Sequence, residues 1–158
     1  MEAAALYMDF ALAGFADHAL IDVLPEPRPV PEGPIRLVRA ATTPAGAPGQ
    51  GPLPVGGGIP VPYMDGHPAL QAVERCGSVR AVADRTEGWA AARKWPDGTR
   101  HALSTALRSR GRTVGVVTFL RGGSRRAFDR ADAVYAEDIA CRVAAAVDLA
   151  GAVAAPAR

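Results

Sequence analysis

The sequence predicts one α+β domain built on an antiparallel sheet. Three observations carry that expectation. The runs HALSTALR (101–108) and TVGVVTFL (113–120) flank the short turn SRGR and read as a β-hairpin. A long alanine-rich helix follows, opening at Asp129 and running to about residue 153. HALIDVL (18–24) is apolar on both faces, which places it as a strand inside the sheet rather than at its rim. A length of 158 residues suits one compact domain and is short for two.

In chain order, residues 2–16 read as a helix, with Leu6, Phe10, Leu12 and Ala13 near helical spacing and Gly14 the first break. In the strand 18–24, Ala19, Ile21 and Val23 share one face; Leu20 and Leu24 share the other with His18 and Asp22. Twelve of the 14 prolines lie between Pro25 and Pro68, so 25–34 can be neither helix nor mid-sheet strand. Residues 35–41 read as a short strand, and 42–62 as a long irregular loop, either a lid or a solvated insertion. Pro68 sits at a first helical turn, the helix runs 69–76, and Gly77 is its expected stop. A short strand at 78–83 precedes a short helix at 87–95 that carries Trp89 and Trp95 and ends at Pro96-Asp97-Gly98. Asp129 is a good N-cap for the last helix, and Asp132 adds negative charge to its first turn. Its stripe is Val134, Tyr135, Ile139, Val143, Ala146, Val147 and Ala150.

Composition excludes several function classes. The net charge of +2 gives no bulk electrostatic case for nucleic acid or membrane. The chain has 33 Ala, 17 Arg, one Lys (Lys94) and no Asn, the bias of a GC-rich coding sequence, so its many arginines need not signal phosphate binding. Arg108, Arg110 and Arg112 crowd the hairpin tip, with Arg121, Arg125 and Arg126 beyond it, as an anion patch or a solvated end. No apolar run approaches the ~20 residues of a membrane span, and MEAAALYMDF lacks the basic start of a signal peptide, so a cytoplasmic location is expected. Cys76 and Cys141 are then expected as free thiols. With no CxxC or HExxH and three scattered histidines, no metal is expected. Gly56-Gly57-Gly58 lacks the strand-before, helix-after setting of a phosphate loop.

Four segments, in order, resemble a GAF domain: FADHALIDVL (15–24), HPALQAVERCGSVRAVADR (67–85), HALSTALRSRGRTVGVVTFLRG (101–122) and AFDRADAVYAEDIACRVAAAVDLA (127–150). They are most similar to the GAF modules that precede sporulation-type serine phosphatase domains in actinobacteria. Ala106 departs from that pattern, standing where these modules usually have proline. The resemblance spans residues 3–153, with 154–158 as a tail. It implies a GAF-like, profilin-like or PAS-like sheet of five to six strands. Terminal helices would cover one face and a ligand-side loop and helix region the other. The initial Met and the full set of elements favour a stand-alone protein over an excised module.

The resemblance also implies a ligand corner between the sheet and the segments opposite the terminal helices. Here it would be built from Tyr63, Trp89, Trp95 and His101, with Ser104 or Thr105 as polar contacts. His101 would serve as a general base only beside a carboxylate, and Asp65, Asp84 and Asp97 are the local options. The leading expectation is a non-catalytic sensing or interaction module of a bacterial regulatory system. It needs no cofactor, binds an unknown small molecule, pairs as a homodimer through its terminal helices, and signals to an effector protein. The alternative is a small stand-alone enzyme using the same pocket, biosynthetic or akin to a methionine sulfoxide reductase, whose chemistry would need a thiolate and a resolving thiol.

Overall fold

The computed structural model describes residues 14–29, 33–43 and 58–154. In chain order the elements are β1 (His18–Arg28), β2 (Leu37–Thr43), β3 (Ile59–Val61), α1 (Pro68–Arg75), β4 (Ser78–Val82), α2 (Trp89–Ala92), β5 (Thr99–Ser109), β6 (Arg112–Gly122) and α3 (Arg130–Ala154). The six strands form one antiparallel sheet in the order β3-β2-β1-β6-β5-β4. β1 lies inside it, as its two apolar faces require. Of the expected helix 2–16, residues 1–13 lie outside the described residues, and Gly14 and Phe15 form a turn.

β1 runs four residues beyond its expected end, through Pro25 and Pro27. Its regular pairing stops at Val23 on both sides and resumes only at Arg28 opposite Thr113. The prolines therefore occupy the part of the strand that has left the ladder, where a missing N–H costs nothing. The expected irregular loop 42–62 is corrected at both ends. Thr42 and Thr43 continue β2 opposite Leu20 and Ala19, and Ile59–Val61 pairs with Leu37–Arg39 as an edge strand. Pro60 is tolerated there because an edge strand has one side free of the ladder. Residues 44–57 of that loop lie outside the described residues.

The hairpin turns on Arg110 and Gly111, at φ 51° and 76°. Two consecutive positive φ values are the signature of a type I′ turn, whose twist matches that of the strands. α1 starts at Pro68, but its stop differs from expectation: Cys76, not Gly77, takes the left-handed conformation, at φ 51°. The N–H groups of Cys76 and Gly77 then close onto the carbonyls of Val73 and Ala72.

α3 covers one face of the sheet. Ala136, Ile139, Ala140, Val143, Ala144 and Val147 pack on Ala19, Ile21, Leu103, Leu107, Val117 and Phe119. Val134 and Tyr135, expected on this stripe, are largely exposed. The three alanines let the helix lie close to the strands and turn its buried face away from Val134. At the helix start, Asp129 and Asp132 exchange reciprocal hydrogen bonds, each carboxylate accepting the other's backbone N–H at 2.9 Å. This is a capping box with Asp at both positions.

The arginine run is used internally. Arg121 is buried, donates to the Phe15 carbonyl and to Asp132, and lies 3.9 Å from the Phe128 ring centroid. Arg126 also grips Asp132, Arg125 pairs with Asp17, and Arg110 and Arg112 pair with Asp148 near the far end of α3. Burial would raise the Asp132 carboxyl, but Arg126, the Asp129 N–H and Arg121 together hold it down at about 2. These contacts staple the hairpin and α3 at both ends. On the opposite face, α1 packs on Leu24, Leu37, Val79 and Val116, and α2 on Leu20, Ala102 and Leu120. Among the described residues, no helix is long and apolar enough to cross a membrane.

Candidate functional site

The face opposite α3 carries a continuous ladder of aromatic and polar groups. Trp89 opens α2, and Trp95 follows it on a reversal made by Lys94 and Gly98, both at positive φ, with the Thr99 hydroxyl donating to the Pro96 carbonyl. The two indoles meet at 5.2 Å and close over Leu20, Ala102 and Leu120. Arg93 lies over the Trp89 ring at 4.5 Å and donates to the Trp89 carbonyl. The His67 edge meets Trp95 at 5.2 Å, and Tyr63 stacks on His67 at 3.8 Å.

His67 joins two helices. Its Nδ1 accepts from Ala69 N–H at 3.1 Å, capping α1, so the proton sits on Nε2, which donates to the Arg93 carbonyl at 3.0 Å. Burial pushes this imidazole down to about 4, so it is neutral at physiological pH. At the far end of the ladder, the Tyr63 hydroxyl donates to Asp22 Oδ2 and accepts from Arg39 NH2, both at 2.6 Å. Arg39 also pairs through Nε with Asp22, whose carboxylate is fully buried. Burial and then the Asp22 charge raise the Tyr63 phenol, so it stays protonated and keeps donating.

Of the residues singled out in the sequence, Tyr63, Trp89 and Trp95 come together in this ladder. Ser104 lies on the same face, fully buried, with its hydroxyl 2.9 Å from that of Thr118. Thr105, the next residue in the strand, points to the α3 side, where its hydroxyl meets Ser78, which donates to Glu137. His101 also leaves the corner: Ala102 lies beneath the tryptophans, so strand alternation sends His101 to the opposite face. There it lines an open cleft with Asp84, one of the carboxylates considered for it. Two buried polar atoms of these side chains have no partner among the described residues, the indole Nε1 of Trp95 and Nδ1 of His101.

The sequence reading missed His67, Asp22 and Arg39. A histidine just before Pro68 occupies an N-cap position, and Asp22 interrupts an apolar strand face; both were available signals. Cys76 lies at the end of α1, its thiol donating toward the Val73 carbonyl at 3.6 Å, whereas Cys141 is exposed on α3 across the sheet. Among the described residues, no group of three His, Cys, Asp or Glu side chains forms a metal site.

No family model and no curated protein matches the chain. Solved structures do. The GAF-B domain of DevS from Mycobacterium smegmatis superposes with a TM-score of 0.59 at 21% identity, over 95% of this chain and 96% of that one. The GAF domain of a two-component sensor histidine kinase from Bacillus halodurans gives 0.64 at 11% identity, over 94% and 96%. The chain has the GAF fold. The free methionine-R-sulfoxide reductase from Neisseria meningitidis, solved in complex with its substrate, shares this GAF fold at 0.58 and 22% identity, over 98% of this chain and 78% of that one. Proteins of different function thus share the architecture, and the reading of function has to come from the site.

Proposed function

We propose that the chain is a sensing or interaction module of a bacterial signalling system that binds a small molecule at the Tyr63–His67–Trp95–Trp89 corner and carries out no catalysis. The observation that supports ligand binding most strongly is the indole N–H of Trp95, buried and without an acceptor among the described residues. Leaving a buried donor unpaired costs roughly 1–3 kcal/mol. A ligand carrying an acceptor would recover that energy, and aromatic walls with a few fixed polar groups suit a small organic molecule. Domains of two-component sensor histidine kinases among the structural neighbours agree with this role. The module acts in the cytoplasm and passes its state to an effector protein, in the manner of the modules that precede serine phosphatase domains.

The homodimer is proposed on the outer face of α3. Val143 and Val147 are buried on this chain's own sheet, whereas Val134 and Leu149 are 61% and 62% exposed. Light scattering is expected to give a dimer mass; a monomer mass at every concentration would contradict the pairing.

The Neisseria structure raises the alternative of a thiol reductase. That chemistry needs a reactive thiolate at the site and a second thiol to resolve it. Cys76 sits at the end of α1 with its thiol directed at the Val73 carbonyl, and Cys141 lies across the sheet, so neither thiol has the other beside it as a resolving partner. With free methionine-R-sulfoxide and dithiothreitol, no turnover above the protein-free rate is expected. Turnover that disappears in Cys76→Ser would overturn the non-catalytic reading.

A further inference from the structure

We propose that the cleft at the His101 end of the sheet is a second binding site, one that takes a small anionic ligand through a carboxylate or a phosphate group. Its lining contains none of Tyr63, His67, Trp89 and Trp95, and it does not rest on the function proposed for them. Ala81 pairs with Ala102 under the tryptophans, so the next pair, Val82 and His101, faces the α3 side. Arg80, on that side, reaches the Phe128 carbonyl just before α3 starts at Arg130. Val82, beyond it, is 59% exposed. There the end of β4, the start of β5 and Gly123 after β6 enclose a cleft of about 560 Å³. That volume falls within the range of small-molecule sites.

The lining is cationic and uncommitted. Arg85 and Arg100 both face the cleft, and neither has a carboxylate partner among the described residues. This contrasts with Arg110, Arg112, Arg121, Arg125 and Arg126, each of which is paired internally. His101 adds an imidazole whose Nδ1 is buried without a partner. Among the described residues, Asp84 is the one carboxylate in the lining, and it is engaged locally, accepting the backbone N–H of Thr86 at 2.8 Å. Two free guanidiniums and an imidazole around one engaged carboxylate favour an anion, held by charge-assisted hydrogen bonds. Val82 supplies an apolar wall for the rest of the ligand. Gly123 borders the cleft without a side chain of its own, and a Cβ there would rest in van der Waals contact with Arg100 Cγ at 3.4 Å.

The test is nuclear magnetic resonance titration of the full chain with inorganic phosphate and, separately, with succinate. A saturable shift of the His101 imidazole and Gly123 amide signals is expected with at least one probe, and the probe that binds more tightly identifies phosphate or carboxylate as the recognised group. Arg85→Gln and Arg100→Gln should each weaken it about tenfold, the scale of one lost charge-assisted bond. Arg142→Gln, on the exposed side of α3, should not. Gly123→Val leaves the charge unchanged, narrows the cleft beside Arg100 and should weaken binding. Three results would overturn the proposal: no saturable shift with either probe, equal weakening by Arg142→Gln, or undiminished affinity in folded Gly123→Val protein.

Discussion

Replacing Gly115 with alanine is expected to destabilise the protein by about 4 kcal/mol or more, among the largest effects of any single substitution. A Cβ at this position would lie 2.2 Å from the Asp22 carbonyl oxygen and 2.9 Å from the Val23 Cα. Both are backbone atoms of β1, so no side-chain rotation relieves the overlap. β1 would have to separate from β6 at the Val23–Gly115 pair, inside the sheet. Asp22 would move with it and release its hold on Arg39 and Tyr63. Denaturant unfolding followed by tryptophan emission should show the loss. A Gly115→Ala protein within about 1 kcal/mol of the parent would contradict the close approach of the two strands.

The second large effect is a loss of stability between pH 6.5 and pH 4. His67 has an ordinary value of 6.5 when unfolded and about 4 when folded, because burial excludes the imidazolium. Within this window the unfolded chain binds the proton more strongly. The stability is therefore complete above pH 6.5, declines as pH falls, and is lost at about pH 4. The amount is of the order of 3 kcal/mol. Protonation also removes the acceptor that caps α1, since Nδ1 can no longer receive the Ala69 N–H. His67→Asn keeps a capping acceptor and removes the titration, so its stability should be nearly flat across the window. The lowered Asp132 carboxyl acts in a separate range: its contribution is lost as pH falls from the usual 3.8 toward about 2. A parent protein equally stable at pH 7 and pH 4.5 would contradict the buried neutral His67.

What the sequence disclosed follows from how local each signal is. The hairpin was legible because Gly111 and two β-rich runs lie within twenty-two residues, and α1 because Pro68 marks its start. β3 was hidden because three residues with a proline at their centre carry no periodicity, and only pairing with β2 makes them a strand. The buried face of α3 was blurred because alanines supply much of it, so large residues such as Val134 drew the stripe to the wrong side. Gly115 reads as an ordinary strand residue until the approach of β1 is known.

At the candidate site, the aromatic residues announced themselves by type, and Tyr63, Trp89 and Trp95 come together in one ladder through His67. The groups that organise them were not, because Asp22 meets Arg39 and Tyr63 across 17 and 41 residues of chain. His101 and Thr105 were assigned to the corner by the resemblance, which names the strand and not the face each residue takes. Strand alternation decides their side, and it needed Ala102 and Ser104 to be located first.

The most direct test of the central claim is the indole N–H resonance of Trp95 during titration with a panel of small polar metabolites, with the Trp95→Phe protein as reference. The proposed function predicts that at least one compound shifts this resonance saturably and raises the melting temperature. It also predicts that Trp95→Phe, which keeps an aromatic ring but loses the donor, binds that compound about tenfold more weakly. An indole signal unmoved by every compound, or equal affinity in the Trp95→Phe protein, would contradict a ligand site at this corner.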